Sequence, residues 1–340
     1  MDPAPAGGSE DARQASIDVH VHFIPPSAQR TPAEPWLPLL RWSGDRQLVE
    51  FEGATARAVL HEFGQLDGLL SGSAGVGLER LVLSPWANLL ADNFDGARAL
   101  QVADILNDGM RRASESAPAR VMALGTVPMR DPVRAARDLQ ELMLDARLSG
   151  VEVSTTVAGR FLGDAVFEPF WEAAEATSAP VFIHPSQQGL ELPALRRHRL
   201  WNLVGNPTET AFTAADMVFS GLLERHPGLR IVLAHGGGSL LAMRGRMLHG
   251  WRVAQEAQAD LLDSPDVSLA RFYYDTITHD PMTLRMLVAL AGADHVLLGS
   301  DYPFDMAPED PVGFVQSAGL ARAEQEMILS QNAARLFGVT

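Results

Sequence analysis

Short apolar runs alternate along the chain with longer segments of helical period. The runs are rich in Val, Ile and Leu, and the segments between them repeat their apolar positions every three to four residues. This alternation is typical of βα units around a parallel sheet. The eight predicted strands are 16–23, 80–84, 121–128, 150–155, 180–184, 230–235, 272–278 and 295–301. Eight such units favour closure, so we predict an α/β fold, a (β/α)8 TIM barrel.

Helices are predicted between most of these strands, at 131–148, 167–177, 209–225 and 281–291. The connection from residue 24 to about 60 carries several prolines and tryptophans without a clear helix, and we predict an insertion over the barrel mouth after strand 1. Residues 68–77, rich in Gly and Ser, are expected to form a loose turn. Residues 1–15 are expected to be a disordered tail, which leaves a single barrel domain at 16–340.

Composition narrows the chemistry that such a barrel can carry. The chain has no cysteine, which excludes disulfides, iron–sulfur clusters, thiolate zinc sites and cysteine nucleophiles. All 27 basic residues are arginine, which removes Schiff-base chemistry, attachment of pyridoxal phosphate and a carbamylated lysine between two metals. A metal must therefore be held by nitrogen and oxygen atoms.

The formal net charge of −15 argues against nucleic acid or an anionic membrane surface as a partner, because neither polyanion is attracted to such a protein. A small anionic substrate stays possible, since a metal ion and a few arginines reverse the field inside a pocket. The sequence has no signal-peptide pattern and no run of roughly 18 apolar residues. We therefore expect a cytoplasmic enzyme.

The ends of the predicted strands carry the candidate metal ligands, where barrels of this kind build their active sites. The first strand alternates with period two, so His20 and His22 point to one face and can bind one ion. The fifth strand ends at His184 and the eighth at Asp301. Taken singly, each of these residues has a structural explanation: a histidine could be hydrogen-bonded in the core, and an aspartate could cap a helix. Together they favour a borderline divalent cation, zinc first and manganese as the other candidate, with one position open.

The sixth strand ends at His235, followed by three glycines that permit close backbone approach to a ligand. Imidazole titrates near neutrality and other strands already supply ligands, so His235 is the candidate acid/base catalyst. Asp301 is assigned to catalysis as well as to the metal. His235 as a fifth ligand or a structural histidine stays open. Asp18 is expected to support the metal ligands or the fold and not to bind the metal itself. Glu152 is expected to be a paired carboxylate of the barrel core, and it would bridge two metals only if a second metal were present.

Five motifs occur along the chain in a fixed order. They are IDVHVHFIPP at 17–26, VFIHPS at 181–186, LAHGGGS at 233–239, YYDTITHDP at 273–281 and HVLLGSDYPF at 295–304. In order and spacing they resemble the non-hydrolytic branch of the amidohydrolase superfamily, specifically aminocarboxymuconate-semialdehyde decarboxylase. The resemblance covers nearly the whole chain, and five ordered motifs are far more specific than one.

The resemblance implies a mononuclear zinc site at the four ligands named above, with His235 handling the proton chemistry. It also implies two arginines that hold a substrate carboxylate. One lies eleven residues beyond the catalytic histidine and is lent by the neighbouring subunit, which falls on Arg246 and implies a homodimer. The other precedes strand two, where Arg57 is the best match.

Two stretches depart from that family. Its decarboxylases follow the histidine-proline pair of strand five with a tryptophan and methionines, whereas this chain has Ser186, Gln187 and Gln188, and the loop at 84–88 also differs. Both stretches are expected to line the pocket, so the substrate need not be that of the family's namesake. The sequence predicts a metal-dependent non-oxidative decarboxylase of a carboxylated conjugated or aromatic small molecule, such as an aminocarboxymuconate semialdehyde or a hydroxybenzoate.

Three other interpretations stay open at the level of sequence. A metal-bound water beside a general base serves hydrolysis of an ester, lactone, amide or carbon–carbon bond equally well. A hydratase of an unsaturated diacid needs the same water, base and arginines. A barrel that binds metal or a partner without activity is the third, and the presence of every ligand and of His235 counts against it.

Overall fold

The structure, a computed structural model, describes residues 16–58, 63–186 and 192–338. Its strands, in chain order, are β1 (Ile17–Phe23), β2 (Leu39–Ser43), β3 (Arg46–Phe51), β4 (Ala54–Arg57), β5 (Arg80–Pro85), β6 (Val121–Ala123), β7 (Val151–Ser154), β8 (Thr156–Val157), β9 (Arg160–Phe161), β10 (Pro180–His184), β11 (Arg230–Leu233), β12 (Tyr273–Asp275) and β13 (Val296–Leu297). The eight predicted strands correspond to β1, β5, β6, β7, β10, β11, β12 and β13. Several are shorter than predicted, among them β6, predicted at 121–128, and β13, predicted at 295–301.

Hydrogen bonds join these eight strands into a ring. One parallel sheet has the order β1-β5-β6 and another the order β13-β12-β11-β10-β7. Gly125 connects β6 to β7, through its N–H to the Gly150 carbonyl and its carbonyl to the Glu152 N–H, each at 2.9 Å. The Val19 N–H donates to the Leu298 carbonyl at 2.9 Å and connects β1 to the end of β13. The (β/α)8 TIM barrel predicted from the sequence is confirmed.

Helices follow most of the barrel strands. In chain order they are α1 (Leu66–Gly75), α2 (Gly96–Ser116), α3 (Pro132–Met143), α4 (Glu168–Thr177), α5 (Asn206–Phe219), α6 (Leu222–Arg225), α7 (Leu240–Val253), α8 (Pro265–Leu269), α9 (Pro281–Ala291), α10 (Pro311–Ser317), α11 (Arg322–Glu326) and α12 (Asn332–Phe337). The helix predicted at 281–291 has the observed bounds of α9. The one predicted at 209–225 is divided into α5 and α6 at Gly221, which has a left-handed backbone with φ of 68°.

The expected loose turn at 68–77 is wrong, because α1 covers Leu66–Gly75. Gly and Ser lower the intrinsic helix propensity of this stretch. Leu69 and Ser73, one helical turn apart, are nonetheless fully buried. Burial of that face against the barrel outweighs the unfavourable propensity, a contribution that composition alone does not reveal.

The insertion after β1 contains a small antiparallel sheet with the order β2-β3-β4. Its Val49 and Phe51 pack in one apolar cluster with Trp86, which follows β5, and with Leu106 of α2. These contacts pack the small sheet against the barrel, beside the pocket described below. The predicted tail at 1–15 and residues 59–62 of the insertion lie outside the described residues.

Apolar side chains fill the barrel beneath the strand ends. Val19, Val82, Phe182 and Val232 belong to one buried cluster that draws on strands from both sheets, and Leu336 of α12 joins it. A filled barrel of this kind leaves only the carboxyl ends of its strands free to form a site. None of the helices in the described ranges combines the length and the apolar character that a membrane crossing requires.

Candidate metal centre

His20 and His22 of β1 turn the same ring nitrogen toward each other. Their Nε2 atoms are 3.1 Å apart. The Nδ1 of His20 lies 2.7 Å from a carboxylate oxygen of Asp275, and the Nδ1 of His22 lies 3.1 Å from the Pro85 carbonyl. Because carboxylate and carbonyl oxygens only accept hydrogen bonds, each Nδ1 carries the hydrogen, and in the neutral rings each Nε2 presents a lone pair.

His184, the last residue of β10, repeats this arrangement. Its Nδ1 donates to the Pro185 carbonyl at 2.7 Å. Its Nε2 is buried and has no hydrogen-bond partner among the described residues. Asp301, beyond the end of β13, brings its Oδ1 to 3.5 Å from the Nε2 of His20 and 3.4 Å from that of His22. Three imidazoles and one carboxylate thus converge, as the strand ends predicted.

The donors fit a divalent cation. Burial, with the nearby histidines, lowers the pKa of His22 and places that of His184 well below its ordinary value. Burial also opposes protonation of His20, but the hydrogen bond to Asp275 and the charge of Asp301 outweigh it and raise its pKa. The ring nitrogens direct their lone pairs, and the buried carboxylate its negative charge, toward the same small volume. A divalent metal held by nitrogen and oxygen ligands would balance both.

His235 lies at the same centre. Ligand atoms of His20, His184, His235 and Asp301 all fall within 4.8 Å of one another, so geometry alone permits His235 as well as His22 in the ligand set. The His235 Nδ1 is buried without a hydrogen-bond partner in the described part of the chain. Burial and the positive charge of His20 lower the pKa of His235 to about 4, so its imidazole is neutral at neutral pH.

The glycines after His235 serve the protein's own packing. His235 itself has a left-handed backbone with φ of 58°, and Gly238 has φ of 60°. A Cβ on Gly238 would overlap the Pro207 carbonyl oxygen at the start of α5, and one on Gly237 would lie 2.8 Å from the Tyr274 ring. Packing within the protein therefore explains why two of these three positions are glycine, and close approach of a ligand is not needed to explain them.

Asp275, at the end of β12, is a functional residue that the sequence analysis did not single out. One of its oxygens accepts the Nδ1–H of His20 and the N–H of His235, and the other accepts the N–H of Gly236 at 2.7 Å. These hydrogen bonds outweigh the effect of burial and lower its pKa. The available signal was the acidic residue at the end of the apolar seventh strand, inside YYDTITHDP.

The other acidic groups near the centre have different surroundings. Asp18 accepts the N–H groups of His20 and Ser300 at 3.0 and 3.1 Å, and burial raises its pKa to about 7. Glu152 is fully buried, and neither of its oxygens has a hydrogen-bond partner in the described ranges. Burial, with the charge of Asp92, raises its pKa well above the usual value. The partner nearest to Glu152 is His184, whose Nδ1 lies 4.0 Å from Oε1. This contact is longer than a hydrogen bond, and burial favours the neutral form of the carboxyl group.

A pocket of about 840 Å³ opens above these donors. It is lined by the site residues His22, His184, His235 and Asp301. Arg57 of β4 and the two stretches that depart from the resembled family, represented by Ser186 and Asn88, also line it. Arg246 is exposed on α7 and lines neither this pocket nor the smaller neighbouring one in the described part of its own chain.

Comparison with known proteins places this architecture in a family. The amidohydrolase family profile matches residues 17–339. The chain belongs to the amidohydrolase family, in its decarboxylase branch. The 2-amino-3-carboxymuconate-6-semialdehyde decarboxylase of Dictyostelium discoideum is 32% identical over 243 residues, which span 71% of this chain and 67% of that relative.

Two solved structures show the same fold in this family. The 5-carboxyvanillate decarboxylase of Sphingomonas paucimobilis superposes with a TM-score of 0.75 and 28% identity, over 82% of this chain and 84% of that one. A dihydroxybenzoic acid decarboxylase of Polaromonas sp. JS666, with bound manganese and 2-nitroresorcinol, gives a TM-score of 0.76 at 21% identity, over 96% of this chain and 97% of that one. The amidohydrolase assignment made from the five motifs is confirmed.

Proposed function

We propose that this protein is a metal-dependent, non-oxidative decarboxylase of a carboxylated conjugated or aromatic small molecule. It is a carboxy-lyase of the amidohydrolase superfamily. The observation that carries the proposal is the convergence of three histidine nitrogens and Asp301 at the base of a pocket, with the neutral ring of His235 beside them. The names of the relatives, decarboxylases of acidic small molecules, support the same reaction class.

His20, His22, His184 and Asp301 would hold the metal. Zinc is our first candidate, since three imidazoles with one carboxylate suit a borderline cation, and manganese is the second. The cation supplies positive charge against the negative charge that develops on the substrate as its carboxylate leaves. Asp275 and the carbonyls of Pro85 and Pro185 hold the three rings in the tautomer that leaves Nε2 free.

His235 moves the proton. Its neutral ring takes a proton from water or from a substrate hydroxyl and delivers it to the carbon that bears the leaving carboxylate. The bond between that carbon and the carboxylate breaks, carbon dioxide departs, and the electron pair left on the carbon accepts the proton. The negative charge of the lost carboxylate ends on the hydroxide or substrate oxyanion from which His235 took the proton, and no oxidant or reductant is needed.

Arginines orient the substrate. Arg57 lines the pocket, and its guanidinium would bind the reacting carboxylate through two N–H groups. Arg246, which lines neither of the two pockets beside the donors in the described part of its own chain, would reach the site of a second copy in a homodimer. We place this enzyme in the cytoplasm and assign residues 16–340 to one barrel domain.

The test combines metal analysis with a product assay. The purified protein is analysed for zinc and manganese and then screened for carbon dioxide release from muconate semialdehydes and hydroxybenzoates. We expect close to one divalent metal per chain and carbon dioxide with one organic product. Two organic fragments without carbon dioxide would identify a hydrolase, and addition of water without any release would identify a hydratase.

A further inference from the structure

Two buried carboxylates hold the end of β7. Ser154, the last residue of that strand, donates its hydroxyl and its N–H to the two oxygens of Asp92, at 2.8 and 2.7 Å. Thr155, the next residue, donates its hydroxyl to Oε1 of Glu209. Both acids are buried, and a buried carboxylate needs hydrogen bonds to offset its loss of water. These bonds therefore tie the two acids to the strand end.

Asp92 and Glu209 reach this strand end from two different parts of the fold. Asp92 lies in the connection between β5 and α2, and Glu209 lies near the start of α5, where it also lines the pocket. The ligand atoms that converge at the metal centre of the described chain come from other side chains. The contacts of the two acids therefore point to a role in placing the strand end.

His184 depends on that strand end for its backbone position. β7 pairs with β10, and Ser154 lies opposite His184 in the register. Just beyond this pair, the Thr155 N–H donates to the His184 carbonyl at 3.1 Å. A shift of Ser154 or Thr155 would therefore move the backbone of His184.

The ring of His184 has no orienting partner of the kind that the other two histidines have in the described chain. The rings of His20 and His22 are hydrogen-bonded to groups on other strands. The Nδ1 of His184 instead donates to the carbonyl of Pro185, the next residue. That bond fixes the ring relative to its own backbone, so the place of the ring in the centre follows from the place of the backbone, which Thr155 holds.

We propose that Asp92 and Glu209 are positioning residues for the proposed metal ligand His184. Each acid holds one hydroxyl-bearing residue at the end of β7, and that strand end holds the backbone from which the His184 ring reaches the metal. The inference rests on the proposed metal-dependent function. It concerns the affinity and geometry of metal binding, which are measured without turnover.

Metal binding by two variants of α5 tests the inference. Glu209→Leu removes the acceptor of the Thr155 hydroxyl. Asp216→Leu is the matched control, because Asp216 lies about two turns further along α5 and accepts the Gly163 N–H at 2.9 Å, a contact that does not involve β7. Metal-free proteins are titrated with zinc, and the visible absorption spectrum of the cobalt form reports the ligand geometry. We expect Glu209→Leu to weaken zinc binding about tenfold and to change the cobalt spectrum, and Asp216→Leu to alter neither.

Smaller changes test the connection to His184 and decide the question if Glu209→Leu does not fold. Thr155→Val removes the hydroxyl and keeps the shape of the side chain, whereas Thr155→Ser keeps the hydroxyl. We expect Thr155→Val to weaken zinc binding and Thr155→Ser to bind zinc like the wild-type protein. Asp92→Asn leaves one acceptor oxygen for the two donors of Ser154 and should also weaken zinc binding. Thermal melting of the metal-free forms verifies that each variant is folded.

An unchanged zinc affinity in Glu209→Leu and Thr155→Val would overturn the role of Glu209, and an unchanged affinity in Asp92→Asn would overturn that of Asp92. An equal loss in Asp216→Leu or Thr155→Ser would also overturn the inference, because it would reflect general destabilisation. The decarboxylase proposal fails separately: zinc binding that depends on Glu209 and Thr155, without carbon dioxide release from any acid in the screen, would support the positioning role and reject the reaction.

Discussion

The Asp275 carboxylate accepts a hydrogen bond from the Nδ1 of His20 at 2.7 Å, although 255 positions separate the two residues in sequence. The same carboxylate accepts the backbone N–H groups of His235 and Gly236. One buried group therefore sets the ring orientation of a proposed metal ligand and the backbone position of the proposed catalyst. A change at Asp275 is expected to disturb both metal binding and proton transfer.

Asp275→Asn tests this connection. The amide replaces an acceptor oxygen by an NH2 group, which must face either the Nδ1–H of His20 or a backbone N–H of the His235 turn. We expect the metal affinity to fall about 10- to 100-fold, as is usual when the partner behind a histidine ligand is lost. Metal titration of the purified variant measures the change. Asp280→Asn, the same substitution at the exposed start of α9, should leave metal affinity unaltered, and an equal loss in both variants would contradict the assignment.

The choice between His22 and His235 as the metal ligand is open to a paired test. We expect His22→Gln to lose most of its metal, because the Nε2 of His22 faces both His20 and Asp301. We expect His235→Gln to keep its metal while kcat falls by about 10²- to 10⁴-fold, the usual contribution of a general acid or base. Metal content and kcat are measured on both proteins. The opposite pattern would make His235 the ligand.

The barrel could be predicted from the sequence because its strands are buried on both faces and therefore appear as continuous apolar runs. The proposed metal ligands could be picked out because His184 and Asp301 lie at or just beyond the end of such a run, whereas His20 and His22 alternate with apolar residues inside one. Helix α1 was missed because the burial of Leu69 is a tertiary effect that a Gly- and Ser-rich composition conceals.

Other features of the site depend on contacts that sequence spacing does not encode. Asp275 meets His20 only after the ring of strands closes. Arg196 and Arg197 are equivalent as sequence, and the backbone of the 193–199 segment decides which of them lines the pocket. Glu152 occupies its predicted strand, but its lack of hydrogen-bond partners in the described ranges emerged only from the side-chain packing.

Removal of the metal is expected to destabilise the fold as well as to abolish activity. Without a cation, lone pairs of His22 and His184 face the Asp301 charge in a buried volume. A ligand that binds only the folded state adds about 2.7 kcal/mol when its free concentration is about 100 times Kd. We therefore expect dialysis against a chelator to lower Tm by about 4 °C or more. Zinc or manganese should restore both Tm and activity, and magnesium, which prefers oxygen ligands, should not.

The surroundings of His226 predict how stability varies with pH. Its Nδ1 lies 2.9 Å from Glu175 and its Nε2 lies 2.9 Å from Glu168. Arg225 also pairs with Glu168. Burial opposes protonation of His226, but the hydrogen bonds to the two carboxylates outweigh it and raise its pKa. Stabilisation by the charged ring is therefore complete below the unfolded pKa of about 6.5 and is lost as pH rises through the higher folded value.

Thermal melting of wild-type protein and His226→Gln as a function of pH measures this effect. We expect the variant to melt at lower temperature near pH 6 and the difference to shrink as pH rises toward about 9. The pKa of Glu168 is lowered chiefly by Arg225 and that of Glu175 by His226, so both carboxylates stay ionised throughout. His249→Gln, at an exposed position of α7, is the control. A difference that grows with pH would contradict the assignment.

The proposed role of Arg246 requires two chains, and mixing two inactive variants tests it. Arg246→Ala keeps its own His235 but lends no arginine, whereas His235→Ala lends Arg246 but has no catalyst. Each variant alone is expected to be nearly inactive. After subunit exchange, a mixed dimer contains one pocket with both groups, so equal amounts should recover activity in about a quarter of the sites. Sedimentation verifies the dimer. A fully active monomer, or a mixture that recovers nothing while mixed dimers form, would remove Arg246 from the site.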